Sequence, residues 1–342
     1  MHVLGAWAYW QQTVLRTLGV LIAVLLPAGT FVYVFLFKMM SHMQSRLGPM
    51  EAGPHGSMQL FAEVGKFLQK EDVAPLKADQ VLFKIPPYIV VASVLLVFVA
   101  VPFGPVAYFA NLDIGIFFAL GVSSLSVVGI LVAGWASANK YSLTGGLRAA
   151  GQLIAYELPL VLAVVGVVIQ AGSLNLQNIV LAQANGSIFG FSGLGNPFIL
   201  TQFVGFLIFL IAVQAELTQT PFDMPIAESE IVAGYMTEYT GLRFLLFFIA
   251  EFAATGAFAA LAATLFLGGW WVPGLSTHAA YMNVIGPVVV FTKMMIVAFL
   301  VFWVRFSYPR LREDQLQSFA WKFLIPLSLV NLMATAVLKV VF

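Results

Sequence analysis

The chain has 342 residues, of which 61% are hydrophobic and 9% charged, with 31 Phe, a net charge of +1 and no Cys; its mean hydropathy is +0.96. A soluble globular domain carries roughly a quarter charged residues, so the composition excludes that class and makes the chain an integral membrane protein. The near-neutral charge leaves no basic stripe for nucleic acid, and without Cys the chain supplies no disulfide, thiolate zinc site or cysteine-bound iron–sulfur cluster.

Apolar runs of roughly twenty residues, the length that crosses a bilayer as helix, occur at 14–37, 85–103, 115–135, 152–171, 198–215, 244–267, 285–304 and 322–342. The expected fold is all-α, a single polytopic transmembrane domain over 1–342 with eight transmembrane helices. Residues 1–13 have no basic start, and the run after them is long enough to span, so the N-terminus is read as a first helix and not as a cleavable signal. Basic residues decide orientation. Lys38, Arg46, Lys66, Lys70, Lys77 and Lys84 follow the first run, Lys140 and Arg148 the third, Arg243 the fifth, and Arg305, Arg310, Arg312 and Lys322 the seventh. Only Arg16 and Lys339 fall towards the other side, which places both termini on the outer, periplasmic face of a bacterial inner membrane. The outer loops 172–197 and 268–284 contain no Asp, Glu, Lys or Arg.

The first inner loop opens with GPMEAGPHG (48–56), whose Gly and Pro bend the chain. Ser57 to Lys70 then puts Met58, Phe61, Val64, Phe67 and Leu68 on one helical face. That segment is too short to span and reads as an amphipathic helix, either at the membrane interface or packed on a partner.

Carboxyls inside the membrane cost roughly 2.5–3.5 kcal/mol each on insertion scales and therefore face a polar cavity or a partner. Glu157 lies five residues into the fourth run, Glu251 seven into the sixth, and Glu216 closes the fifth. Their rise places the first two about 8 and 10 Å below the inner surface, with Glu216 at its rim, while Lys293 lies some 18 Å deep. As interhelical ion pairs these groups would only fix packing; as carboxyls buried at like depth they would hold protons more readily and could carry them. The intervening stretch, Gln214 to Arg243, adds Asp223, Glu228, Glu230 and Glu238. Pro221 and Pro225 break any early helix, and Ala227 to Tyr239 is expected to form a short one. A solvated acidic loop is the default for such a run; against it, interleaved Phe222, Met224, Ile226, Ile231, Val232, Tyr235 and Tyr239 suggest a loop folded back into the protein, which reads as the mouth of a proton path.

The stretch ELTQTPFDMPIAESEIVAGYMTEYTG (216–241) resembles the acidic loop of the quinone-site membrane protein, the H or ND-one subunit, of proton-pumping NADH:quinone oxidoreductase, respiratory complex I. QSRLGP (44–49) with GPHG (53–56), QKEDVAP (69–75), GWASANKYSLTGGLRAAGQLIAYEL (134–158), FFIAEF (247–252) and RFSYPRLREDQLQSFAWKFLIPLSL (305–329) resemble further segments of that family in the same order. The resemblance implies that inner loops 38–84 and 216–243 form, with soluble partner subunits, a chamber that binds quinone as substrate. Lys38, Arg46, Phe222, Asp223, Glu228 and Glu230 match positions at that chamber. Tyr156, Glu157, Glu216, Glu251 and Lys293 match the polar path by which quinone reduction is coupled to proton translocation towards antiporter-like membrane subunits. Arg305, Arg310, Arg312 and Asp314 match partner-facing loop positions. NADH, flavin and iron–sulfur clusters are implied on partner subunits, and no metal on this chain. Leu36, Phe37, Gln219 and Ile226 stand where the family usually carries charged residues. A second reading is the homologous subunit of an energy-converting hydrogenase or of a ferredoxin- or deazaflavin-linked dehydrogenase. A secondary transporter would show inverted repeats, and the two halves of the sequence show none.

Overall fold

A computed structural model describes residues 9–186, 195–275, 277 and 281–341. The expectation of an uncleaved start at residues 1–8, and parts of both outer loops, lie outside the described residues. Those described form helices and turns with no strand. Six helices are long and apolar enough to cross a membrane, and two shorter apolar ones accompany them.

Helix α1 (Tyr9–Phe31) continues through a π-helical stretch, Val32–Met39, into a last turn, Met40–Met43. The amphipathic segment is α2 (Gln59–Gln69). It packs on α1, where Leu60 lies over Gly29, while the Phe67 ring lies 5.5 Å from that of Phe244; Phe61 and Leu68 remain exposed. Then follow α3 (Pro86–Ala100), α4 (Gly115–Ser123 and Leu125–Ala136), α5 (Lys140–Ala171), α6 (Leu176–Asn185) and α7 (Phe203–Glu216). The chain ends with α8 (Gly241–Phe266), α9 (Met282–Ser307) and α10, which runs from Glu313 to Val341 with a π-helical turn at Ala320–Leu324.

Two expected spans are shorter than their apolar runs. The second stops at Ala100, where Val101 turns to extended backbone. The fifth is cut at Gln202, whose backbone leaves the helix while its buried amide donates to Thr335 Oγ1 at 2.6 Å and accepts from Asn331 at 3.2 Å. A side-chain amide inside an apolar bundle must find such partners, and satisfying this one breaks the run.

The bundle has two hubs. Helix α5 packs on α4, α7 and α10, and α8 packs on α1, α3 and α9. The first hub closes through small residues. A Cβ on Gly134 would lie 2.7 Å from Ser142 O, and one on Gly145 would lie 2.6 Å from Gly234 Cα. Without side chains at these points the backbones approach closely, the usual device where lipid gives no hydrophobic drive between helices. The second hub closes through aromatic rings: Phe31, Phe35, Phe252 and Phe302 are all buried, with Phe35 stacked on Phe302 at 5.0 Å and Phe252 on Phe302 at 5.8 Å.

Candidate functional site: membrane carboxylates and the acidic loop

The hubs meet where α7 ends. Glu216 and Glu251 line one pocket of about 60 Å³ whose wall is mostly apolar, Val94, Ile130 and Phe258 among it, with Ser93, Ser123, Ser126 and Thr218 as its other polar groups and Tyr235 of the acidic loop at its wall. That volume is on the scale of a few waters. Glu157 joins the group from α5: its Oε1 accepts from the Ser124 hydroxyl, and it is an electrostatic neighbour of Glu216. The interruption of α4 makes this contact. Ser123 and Ser124 both turn their hydroxyls back on Leu120 O, at 2.7 and 3.0 Å, and such back-bonding bends helices.

The three carboxyls differ in their partners. Glu251 accepts from Arg305 Nη1 at 2.9 Å, and that guanidinium lies about 6 Å over the rings of Phe252, Phe302 and Phe306, a partly desolvated cation–π setting. Among the described residues Glu157 has only a hydroxyl. Glu216 has no cation, and its Oε2 is buried with no hydrogen-bond partner among the described residues.

The acidic loop is folded against α5, as its interleaved apolar residues imply. Phe222 is buried edge-on to Tyr156 at 5.2 Å. Gln152, fully buried in α5, donates to Ala215 O at 2.8 Å and to Phe222 O at 2.6 Å. One side chain thus ties down the end of α7 and the start of the loop. The expected helix over Ala227 to Tyr239 shrinks to one turn, Glu228–Ile231, followed by a 3₁₀ turn, Gly234–Met236. Gly234 takes φ +55°, and a Cβ there would sit 1.8 Å from Pro225 O. The loop folds over itself against Gly145, and a continuous helix would not pass.

Only Arg243 was available as a sequence-local cation, and it pairs with Asp72 at 2.8 Å. The loop acids use distant ones. Asp223 accepts from Arg310 Nε at 2.8 Å and Nη2 at 2.6 Å, the same guanidinium reaching Ser229 Oγ at 3.0 Å. Glu230 pairs with Arg148 at 2.6 Å, which also lies 3.6 Å from Glu313. Glu238 accepts from Asn139, the N-cap of α5. Glu228 is exposed. Burial raises the Tyr235 phenol above its ordinary range, reinforced by the Glu251 charge, so it is a neutral donor beside the pocket.

Other predicted site residues stand apart. Lys293 donates to Leu267 O, Gly269 O and Trp271 O at 2.6, 2.7 and 2.6 Å, past the C-terminal end of α8. The Tyr156 hydroxyl donates to Leu316 O at 2.9 Å, joining α5 to α10. Lys38 donates to Pro49 O at 2.8 Å and holds the bend after α1. Arg46 is exposed and bonds Gln44 at 2.9 Å. Arg312 and Asp314 form an exposed pair at 3.2 Å. Among the described residues no three His, Asp or Glu gather as metal ligands.

Sequence reasoning missed Gln152, Ser124, Arg148 as the partner of Glu230, and Thr255, which accepts from Gln219 at 3.2 Å. A lone amide inside an apolar run was a usable signal for Gln152. The Arg148 pairing spans 82 positions and leaves no local trace.

Residues 15–336 match the family model described as NADH dehydrogenase. The chain is 45% identical over 317 residues to the NADH-quinone oxidoreductase H subunit of Brevibacillus brevis, covering 93% of this chain and 90% of the relative. It is 44% identical over 332 residues to the H subunit of Geobacillus kaustophilus, covering 95% and 93%. Against the H subunit of Dehalococcoides mccartyi it is 44% identical over 319 residues, covering 92% and 84%.

Proposed function

The chain belongs to the family of NADH-quinone oxidoreductase H subunits, and from that premise we propose that it couples quinone reduction to proton translocation through the pocket of Glu216 and Glu251. One observation carries the reading: two carboxyls from different helices open on a single small pocket whose wall is completed by Tyr235 of the acidic loop. In this arrangement the chain crosses a bacterial inner membrane eight times with both termini outside. Loops 38–84 and 216–243 face soluble partners on the inner side, and Asp223, held by Arg310, borders the quinone chamber.

Reduction of quinone to quinol takes two electrons, delivered by a partner's iron–sulfur cluster, and two protons. Negative charge arriving at the chamber raises the proton affinity of nearby carboxyls. The Asp223–Arg310 pair resists that change, because the guanidinium already compensates the carboxylate. Glu216, without a cation, responds most, and Glu157 and Glu251 respond with it as one coupled set. In the assembled complex, Glu216→Gln and Glu251→Gln each lower NADH:quinone turnover and proton pumping together. Normal rate and proton-to-electron ratio in both variants would overturn the reading.

A further inference from the structure

We propose that the end of α1 farthest from the acidic loop holds one phospholipid, its phosphate on Arg16 and one acyl chain in the crevice that leads inward from that residue. A crevice of about 570 Å³ lies between α1, α9 and the loop after α3, within the range of roughly 300–1,000 Å³ typical of pockets for one small molecule. Arg16, Gly19, Ala23 and Pro27 line it from α1, a three-to-four-residue spacing that makes one continuous helix face. From Arg16 to Pro27 that face rises about 16 Å, close to half of the roughly 30 Å hydrocarbon thickness. The groove is therefore one leaflet deep, with a cation at its headgroup end.

The opposite wall is apolar, formed by Pro287, Phe291 and Met294 of α9. Phe103 and Phe109, edge to face at 6.0 Å, close the top. Gly19 makes room for this roof, since a Cβ there would lie 2.8 Å from the Phe109 ring.

Among the described residues Arg16 is the one charged side chain lining the crevice, and it makes no ion pair with any of them. The stretches that are not described, 1–8, 187–194, 276, 278–280 and 342, contain no Asp or Glu. Arg16 is exposed, and a guanidinium near the end of a membrane span snorkels to the headgroup level, where phosphate offers it bidentate, charge-assisted hydrogen bonds. A phospholipid supplies the anion at the headgroup level and an acyl chain that follows the groove.

The test uses the assembled complex with a photo-crosslinking p-benzoylphenylalanine in place of Ile22, which lines the crevice. Complexes are placed in vesicles of phosphatidylglycerol or of a phosphate-free glycosyl diacylglycerol, irradiated, and the chain is weighed by mass spectrometry. A phospholipid adduct at least fivefold more abundant than the glycolipid adduct is expected, lowered at least fivefold by Arg16→Gln and retained by Arg16→Lys. A crosslink to another protein of the complex, no lipid adduct, or an adduct indifferent to headgroup or to Arg16→Gln would overturn the proposal. NADH:quinone turnover, measured in parallel, reports on the pocket of Glu216 and is independent of this outcome.

Discussion

Two sets of carboxylates lie within one fold and are treated in opposite ways. Those of the loop, Asp223 and Glu230, each meet an arginine from a distant segment. Those in and beside the membrane pocket grade from Glu251 with its arginine, through Glu157 with a hydroxyl, to Glu216 with neither among the described residues. A carboxylate matched by a guanidinium holds its charge and fixes geometry. One lacking such a match leaves its protonation open to neighbouring charge. The loop is thus built to stay in place, and the pocket to respond.

The sharpest way to break this contrast is Arg305→Met, which strands Glu251. Losing one partner of a largely buried pair costs about 3–5 kcal/mol, so thermal unfolding of the detergent-solubilised complex falls by several degrees. Adding Glu251→Gln in the same chain recovers most of the loss, and a double-mutant cycle gives a coupling above about 1 kcal/mol. Gln152→Leu releases the carbonyls of Ala215 and Phe222 at the joint between the two regions. Two lost hydrogen bonds with buried acceptors cost about 2–3 kcal/mol, seen as faster proteolysis of the acidic loop. Glu216→Gln replaces a carboxyl that no cation matches with a neutral group of the same shape, so stability holds within about 0.5 kcal/mol while turnover falls about tenfold, equivalent to about 1.4 kcal/mol of barrier. A fall in melting temperature as large as that of Arg305→Met would erase the contrast. Arg312→Ala is the smallest: its pair with Asp314 is exposed, and such pairs contribute about 0–1 kcal/mol, so both melting and turnover stay near those of the parent.

How much of this was legible beforehand follows the range of the interactions. Apolar runs and buried charge are local properties, so the helical bundle, α2 and the grouping of Glu157, Glu216 and Glu251 could be read from spacing and rise. The break at Gln202 could not, because its cause is Thr335 and Asn331 on another helix. The loop's shape escaped for a similar reason. Its residues favour a helix after Ala227, but the close approach of Gly234 to Gly145 and to Pro225 O imposes two short turns. Lys293 stood deeper than the membrane carboxyls by rise along its own helix and joined them only through the family resemblance; its side chain goes to the carbonyls past α8.

That lysine has a mechanical consequence. All three of its ammonium hydrogens are engaged by carbonyls following α8, and Arg305, twelve residues along the same helix, grips Glu251 towards the middle of α8. Helices α8 and α9 are riveted at two levels, like the rails of a ladder with two rungs. A push from the acidic loop on the start of α8 cannot slide one rail past the other without shearing a rung. On this geometry such a push is expected to tilt the pair as one body.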